Sequence, residues 1–457
     1  MSAPRHLKPT GRTFASTRNA CKLCTPLGAC LAFRGVEGCV PYLHGSQGCA
    51  TYIRRYLINH YREPVDIASS SFNEQAAIFG GAETFAVGLD NVISAYRPGV
   101  VGVATTCLSE TIGDDVRMFL HEYLADHRHE ELPEIVTVST PSYSGTHAEG
   151  YFATLRSLVD QLAQPGEHDD HVNLLTGMVS PADLRHLKEI LTDFRLPAML
   201  LPDYSETLDG SAWDEYHRIP AGGTPVSDIR AAGWARATIE LGQCMPDSLS
   251  AGALLQDKHD VPRISLPWPI GVRACDRFFE TLAESAQREI PRTYTDRRGR
   301  LMDAYVDGHK YVCDARAGVF GEEDLVVGIV SLLAEIGVTP ALCVSGGRSG
   351  LFRARLAEAA PDLIETIAIH DGTDFADMEE IAAGMDLDIL VGSSKGYTMA
   401  RRLKLPLVRV GFPVHDRLGG QRIRHLGYRG TQELTDRIAN TLMQVKQDES
   451  PVGYTYM

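Results

Sequence analysis

The chain has 457 residues, a length that predicts about three domains and a sizeable buried core and excludes a small stapled scaffold. Hydrophobic residues make up 44% and charged residues 23%, as in ordinary globular proteins, and the formal net charge of −15 argues against nucleic acid as a partner, since phosphate binding needs clustered positive charge. The longest strongly apolar run, residues 326–334, is about half of a membrane span, so we expect a soluble, cytoplasmic protein without a membrane partner.

Half of the cysteines crowd the beginning of the chain. Five of the ten, Cys21, Cys24, Cys30, Cys39 and Cys49, lie within the first 49 residues. In a reducing compartment, thiols are kept for metals or catalysis instead of disulfides. The Cys21-x-x-Cys24 pair invites a zinc or a redox interpretation, but the spacings to Cys30 and Cys39 match no paired zinc cluster, so we favour neither.

A helix is predicted just after a tight loop in the sequence His44-Gly-Ser-Gln-Gly-Cys49, because apolar residues follow it at helical spacing. Cys49 then lies at the helix N-terminus, where free amide groups and the helix dipole favour a thiolate or an inorganic sulfide. The alternative is a small buried cysteine packed under the loop. We expect Gly28, Gly45 and Gly48 to let the backbone come close to a bound group.

Two strands of the first block end in polar loops that carry possible ligands. Residues 100–106 and 134–138 read as buried strands; Cys107 follows the first, and Ser142 lies in the loop after the second. Ligands bind at the carboxyl ends of strands in open parallel sheets, so these loops can converge with that of Cys49. Soft ligands on separate loops, none paired as in a zinc knuckle, suit an iron–sulfur cluster at a sheet edge.

The rest of the chain repeats the alternation of strand and helix that is typical of parallel α/β layers. A linker is predicted at 164–170 and a surface loop at 208–225. Strands are predicted at 172–176, 198–202, 311–314, 341–344, 366–369 and 389–391, with a helix at 322–335. The predicted domains are residues 1–166, 167–302 and 303–457, the last flavodoxin-like with a C-terminal helix. Gly346-Gly347 and Gly392-Ser-Ser-Lys395 are read as turns after strands, and we find no phosphate-binding loop for ATP.

An ordered set of motifs resembles one family. The set comprises Cys24-Thr-Pro-Leu-Gly-Ala, His44-Gly-Ser-Gln-Gly-Cys49, Arg62-Glu-Pro-Val, Ser69-Ser-Ser-Phe, Thr106-Cys107-Leu-Ser-Glu-Thr-Ile-Gly-Asp-Asp115 and Thr140-Pro-Ser142. Together they resemble the β-type subunit of nitrogenase component 1. The resemblance is dense over residues 20–150 and returns at Val410-Gly-Phe-Pro413 and Asp416-Arg-Leu-Gly-Gly420.

This resemblance implies three Rossmann-like parallel-sheet domains and an α-type partner subunit in an α2β2 heterotetramer. It implies that Cys24, Cys49 and Cys107 bind half of an [8Fe-7S] P-cluster at the α/β interface, with Cys49 as the bridging thiolate and Ser142 as the redox-dependent oxygen ligand. Electrons would come from a homodimeric, ATP-dependent [4Fe-4S] Fe protein and pass to an iron–sulfur cofactor resembling the iron–molybdenum cofactor in the partner subunit. Cys21, Cys30 and Cys39 match no ligand position and are expected to be packing residues.

Departures from the family patterns narrow the choice of member. Only 23 residues precede Cys24, fewer than in molybdenum-type β subunits, and Gly45-Ser-Gln-Gly-Cys49 differs from the Gly-Gly-Gln-Gly-Cys usual in vanadium and iron-only types. The cofactor-assembly scaffold of the family resembles this chain around Leu201-Pro-Asp203 and Leu208-Asp-Gly210, but it generally lacks the complete ligand set. We therefore predict the K-like subunit of a nitrogenase-like methylthio-alkane reductase, which would release methanethiol and a hydrocarbon.

Three alternatives stay open beside that prediction. The chain is a nitrogenase β subunit that serves reduction of N2, a non-catalytic scaffold for cofactor assembly, or a metabolite-binding α/β protein with incidental cysteines. The reacting cofactor would lie in the partner subunit, so this chain carries no catalytic residue and does not reveal the substrate.

Overall fold

The computed structural model describes residues 20–452, which form three parallel β-sheets with helices packed against them. The predicted α/β class with three parallel sheets is confirmed. Apolar contacts run without interruption from the first sheet to the third, so most of the buried side chains belong to a single hydrophobic core. Within the described part of the chain, no helix is both long and apolar enough to cross a membrane.

The first sheet has the strand order β2-β1-β3-β4, and all its pairs are parallel. Its strands are β1 (Cys39–His44), β2 (Ala68–Ser69), β3 (Val100–Thr105) and β4 (Glu134–Val138). Its helices are α1 (Thr25–Arg34), α2 (Gln47–Tyr61), α3 (Glu74–Phe79), α4 (Ala82–Tyr96), α5 (Cys107–Ile112), α6 (Val116–Asp126) and α7 (His147–Leu162). Every residue of β1 and β3 is buried, as expected for central parallel strands covered by helices on both faces.

The second sheet has the order β6-β5-β7-β8 and is also parallel. It contains β5 (Val172–Leu175), β6 (Ala198–Leu201), β7 (Ala237–Leu241) and β8 (Arg263–Leu266). The accompanying helices are α8 (Pro181–Asp193), α9 (Val226–Ala231), α10 (Ala251–His259) and α11 (Val272–Ala286). The predicted linker at 164–170 and the predicted loop at 208–225 are both irregular in the structure.

The third sheet has the order β11-β10-β9-β12-β13, again all parallel. Its strands are β9 (Arg316–Gly321), β10 (Thr339–Ser345), β11 (Ala368–His370), β12 (Ile389–Gly392) and β13 (Leu407–Arg409). The helices α12 (Arg292–Val312), α13 (Glu323–Glu335), α14 (Phe352–Ala359), α15 (Phe375–Ala383), α16 (Tyr397–Leu403) and α17 (Gly427–Glu449) complete the described chain.

Two predicted strands of the third block are displaced. The strand predicted at 311–314 is wrong, because Tyr311 and Val312 end helix α12, where Val312 continues the buried face of Leu301 and Tyr305. A short apolar run does not distinguish the end of a buried helix from a strand. The strand predicted at 366–369 begins two residues later, at Ala368, because a 3₁₀ turn precedes it.

Each predicted domain segment contains one of the sheets, while the domain boundaries themselves remain predictions. The boundary at 302/303 falls inside α12, which runs between the second sheet and the third. Strand β1 and helix α1, which carry or flank the early cysteines, were not predicted at all. Their sequences mix Pro, Gly and Cys among the apolar residues, so neither a period of two nor a period of 3.6 stands out.

Candidate functional site

The predicted ligands lie at the ends of separate elements of the first domain. Cys24 is the N-cap of α1, Cys49 is in the first turn of α2, and Cys107 is the first residue of α5, directly after β3. Ser142 lies in the loop that follows β4. Because β1, β3 and β4 are parallel neighbours, the loops after them leave the same edge of the sheet. The predicted position of Cys49 at a helix N-terminus is confirmed.

The structure brings all of these residues to one place. Cys24, Cys49, Cys107 and Ser142 line a single cavity of about 510 Å³. The backbone N–H of Ser142 donates to Cys107 Sγ at 3.3 Å, and the Ser142 hydroxyl accepts from the backbone N–H of Thr25 at 3.2 Å. The hydroxyl thereby ties the start of α1 to the loop after β4, so Cys24 and Cys107 are positioned by one hydrogen-bonded unit.

Helix caps and one close contact between loops fix the turns that carry Cys49 and Cys107. Ser46 caps α2 by accepting from the N–H of Gly48, and the Thr106 side chain forms a capping box at the start of α5. Gly45 packs against Thr106 so tightly that a Cβ there would lie 2.0 Å from its Oγ1. A glycine at position 45 therefore lets the Cys49 loop lie against the Cys107 loop.

The other two glycines differ from each other. A Cβ on Gly28 would lie 1.7 Å from the carbonyl oxygen of His147, so Gly28 allows α1 to pack closely on α7; it does not line the cavity, and its expected role is corrected. Gly48 does line the cavity, and a Cβ there would meet no atom of this chain nearer than 3.5 Å. For Gly48 the close approach to a bound group stays a prediction.

The electrostatics of the thiols also differ from the expectation. Burial, with smaller effects from Cys49 and Cys107, raises the pKa of Cys24 to about 11. Burial and the neighbouring Cys107 raise the pKa of Cys49 as well, which outweighs the predicted stabilisation of its thiolate by the helix N-terminus. In the free chain these two groups are thus held as neutral thiols, and a bound cation is required to stabilise them as thiolates.

The cysteines that match no ligand position lie elsewhere. Cys30 and Cys39 are buried in the main hydrophobic core, and Cys21 is buried beside Phe320 in a second apolar cluster on the third sheet. Their surroundings fit the predicted packing role. Among residues 20–452, no three His, Cys, Asp or Glu side chains lie close enough together to hold a single metal ion.

The donor set of the cavity fits a polynuclear cluster better than a single ion. Three thiols and one hydroxyl line one open volume of about 510 Å³, which has room for more than one atom between them. Thiolates contributed by separate segments are the ligands that iron–sulfur clusters use. Cys24, Cys49, Cys107 and Ser142 are therefore the residues that could hold such a group.

Several residues of the cavity were not predicted from the sequence. Lys22 and the aromatic residues Tyr52 and Tyr56 contribute to its wall, and Lys395 reaches it from the third sheet. The segment Gly392-Ser-Ser-Lys395 is a turn after β12, as predicted, but that turn also delivers a side chain to the site. The rule that ligand-binding loops follow the carboxyl ends of parallel strands could have identified it.

Comparisons with known proteins identify the family to which this sequence is similar. The model of the family described as nitrogenase component 1 type oxidoreductase matches residues 24–443. The nitrogenase molybdenum-iron protein beta chain of Methanothermobacter thermautotrophicus is 36% identical to this chain over 444 residues, 95% of this chain and 96% of that protein. The nitrogenase iron-molybdenum cofactor biosynthesis protein NifN of a Nostoc species is 32% identical over 431 residues, 94% of each chain.

A solved structure extends the similarity to the whole fold. A chain of nitrogenase Cp1 at pH 6.5 superposes with a TM-score of 0.93 at 31% sequence identity, and the match covers 98% of both chains. Family match, relatives and structure all span nearly the entire sequence. The chain therefore belongs to the nitrogenase component 1 family of oxidoreductases, as a β-type subunit.

Proposed function

We propose that this chain holds half of an [8Fe-7S] P-cluster and relays electrons from an ATP-dependent Fe protein to an iron–sulfur cofactor in an α-type partner subunit. The observation that carries the proposal is that Cys24, Cys49, Cys107 and Ser142, four residues far apart in sequence, line one cavity. When bound, the cluster supplies the electron-accepting and electron-donating centre. The residues of this chain bind it, shield it from water and set its potential.

Each ligand has a distinct part in this scheme. Cys24, at the start of α1, and Cys107, at the start of α5, are linked through Ser142, while Cys49 enters from the first turn of α2. The backbone N–H of Ser142 donates to Cys107 Sγ at 3.3 Å. Together with the bond from Thr25 N–H to the Ser142 hydroxyl, this contact fixes the Cys107 sulfur relative to the start of α1.

Ser142 can in addition couple a proton to the electron. Its hydroxyl accepts the N–H of Thr25 and lies in the same cavity as the thiols. With a cluster bound, Ser142 Oγ would hold its oxidised form as a deprotonated oxygen donor and would be a neutral hydroxyl beside its reduced form. Ser142 would thus give up one proton on oxidation and take it back on reduction.

An α-type subunit is the proposed partner for the open side of the cavity. Tyr52 lines the cavity and is 65% exposed, and Tyr143, next to Ser142, is 67% exposed. Leu108, next to Cys107, is also exposed. Large apolar side chains left in water around a site mark an interface with another protein. A partner that covers them completes the other half of the cluster and supports an α2β2 heterotetramer.

For the substrate, we propose a methylthio-alkane, with cleavage of a C–S bond and release of methanethiol and a hydrocarbon. The sequence departs from the usual vanadium and iron-only motif at Gly45-Ser-Gln-Gly-Cys49. The complete set of Cys24, Cys49, Cys107 and Ser142 favours an electron-relaying subunit over the scaffold, although relatives of both kinds have similar identity to this chain. Reduction of N2 by a nitrogenase and cofactor assembly are the competing functions.

Three measurements on the anaerobically purified complex test this proposal in sequence. Iron and acid-labile sulfide should co-purify with the chain and its partner; a metabolite-binding protein would contain neither. Electron paramagnetic resonance of the oxidised complex should show a P-cluster signal, and its absence in an iron-loaded complex would establish the scaffold function instead. Turnover with dimethyl sulfide and an ethylene-releasing thioether should exceed turnover with dinitrogen or acetylene, and the reverse order would identify a nitrogenase.

A further inference from the structure

Lys395 joins the cavity of the first domain from the third sheet. It lies in the short 3₁₀ turn Ser394–Gly396 that follows β12, and its side chain is half-buried in the wall of the cavity with Cys24, Cys49 and Cys107. Its ammonium Nζ donates to the backbone carbonyl of Lys22 at 3.4 Å. The contact places the charge beside the segment that leads into Cys24.

The charges around the cavity are all of one sign. Its charged lining residues in the described chain are Lys22 and Lys395, and no carboxylate lines it. The ammonium of Lys22 points to the carbonyl oxygen of Gly145 at 3.4 Å. Cys21 and, more weakly, Glu322 are the groups whose charge acts on Lys395, and the Glu322 carboxylate itself pairs with His147 at 2.7 Å. Among residues 20–452, no carboxylate forms an ion pair with Lys395, so its ammonium is the charge that this domain adds to the wall of the cavity.

We propose that Lys395 supplies a fixed positive charge that raises the reduction potential of an iron–sulfur cluster held by Cys24, Cys49 and Cys107. This inference rests on the proposed function and adds to it a residue from a different domain. Accepting one electron makes the bound group more negative by one charge, and a nearby ammonium stabilises that reduced form more than the oxidised form. Because Lys395 is half-buried, water and salt screen this effect less than at an exposed site.

Lys395 also has an obvious structural alternative. Its hydrogen bond to Lys22 could merely anchor residues 20–24, which are also held to the third domain by the bridge between Ala20 and Asp374 and by buried Cys21. An anchor would control whether the cluster is inserted. A charge would control the potential of a cluster that is inserted normally. The two roles are therefore separable by measuring iron content and potential on the same sample.

The test is an anaerobic redox titration of the purified complex with dithionite, in which each cluster takes one electron from the titrant, followed by electron paramagnetic resonance. Lys395→Gln keeps a donor for the Lys22 carbonyl but removes the charge, and Lys395→Arg keeps the charge. Lys446→Gln, on the exposed face of α17, removes a charge from the same domain outside the cavity and serves as the matched control. We expect Lys395→Gln to lower the ratio of reduced to oxidised cluster at a fixed potential about tenfold, a shift of about 59 mV for one electron.

The outcomes separate the two proposals. Normal iron content with a lowered potential in Lys395→Gln, and wild-type potentials in Lys395→Arg and Lys446→Gln, support the inference. A wild-type potential in Lys395→Gln at normal iron content overturns it, and so does a loss of iron without a shift in the clusters that remain, which would make Lys395 an anchor. If the wild-type complex itself holds no redox-active cluster, the proposed function fails, whatever the variants do.

Discussion

Five of the six cysteines in the predicted first domain fall into two groups that differ in surroundings, and the sixth, Cys21, packs against the third sheet. Cys24, Cys49 and Cys107 are half-buried, begin helices and line a cavity. Cys30 lies inside helix α1 and Cys39 is the first residue of strand β1, and both are completely or almost completely buried in the hydrophobic core. A helix start at a sheet edge leaves a thiol accessible to a ligand, whereas the core surrounds it with apolar side chains.

The same contrast appears within helix α1, which carries one cysteine of each kind. Its N-cap residue, Cys24, lines the cavity. Cys30 lies in the core, and every other residue of the helix is buried as well. Burial raises the thiol pKa in both places, so the pKa by itself does not distinguish a ligand from a packing residue. Both thiols have other cysteines near them, so the difference is the open space: Cys24 lines the cavity, whereas Cys30 is completely enclosed by packed side chains.

The largest effect is expected for a cysteine that lines the cavity. Cys107→Ala should reduce electron transfer through the complex by at least about 100-fold, because removing a direct ligand costs more than removing an outer-shell partner. It should also lower the iron content while the third sheet keeps its fold. Stopped-flow electron transfer, iron analysis and circular dichroism measure these three quantities. Full activity in this variant would contradict the ligand assignment.

The next effect concerns the packing of α1 on α7. Gly28→Ala would place a methyl group 1.7 Å from a backbone carbonyl, so we expect it to lower the free energy of unfolding by roughly 3 kcal/mol or more. Gly48→Ala, whose Cβ meets nothing closer than 3.5 Å, is the matched control and should be neutral or slightly stabilising. Urea denaturation measures the free energy of unfolding of both variants. An equal decrease in the two would show that the close approach of α1 to α7 does not make position 28 more sensitive than position 48.

A smaller effect is expected for a cysteine of the core. Cys39→Ala should cost about 1–2 kcal/mol of folding stability because it leaves a small cavity in a buried strand, but the iron content of the complex should stay at the wild-type level. Denaturant titration and iron analysis on the same preparation give both numbers. A large loss of iron without loss of stability would place Cys39 among the ligands.

The smallest expected effect is a change in how the reduction potential of the cluster depends on pH when Ser142 is replaced. If its hydroxyl loses a proton when the cluster is oxidised, the potential of the wild-type complex should fall by up to about 59 mV per pH unit, since a higher pH favours the deprotonated, oxidised state. Ser142→Ala should flatten this slope while Cys107 keeps the cluster bound. Redox titrations at several pH values measure the slope. An unchanged slope in the variant would assign the proton to another group.

Much of the architecture was accessible from local patterns. The strands at 134–138 and 100–105 are mostly apolar runs bounded by polar loops, and the helix after Cys49 has apolar residues at a clear helical period. The ends of each element were therefore predicted to within a few residues. The segment 311–314 was misread because the last turn of a buried helix and a short strand have the same composition. Strand β1, with Pro41 at its centre, escaped prediction because proline is unusual in a strand.

The sequence by itself singled out Cys49, Cys107 and Ser142 as possible cluster ligands, because they follow predicted strands or begin a predicted helix, and the family resemblance of its motifs added Cys24. The tertiary structure alone decided what surrounds them. Parallel strand order brings the loops to one edge of the first sheet, and packing of the third sheet against it adds Lys395. Contacts between residues more than 200 positions apart depend on how whole sheets pack, and no local period or spacing encodes that.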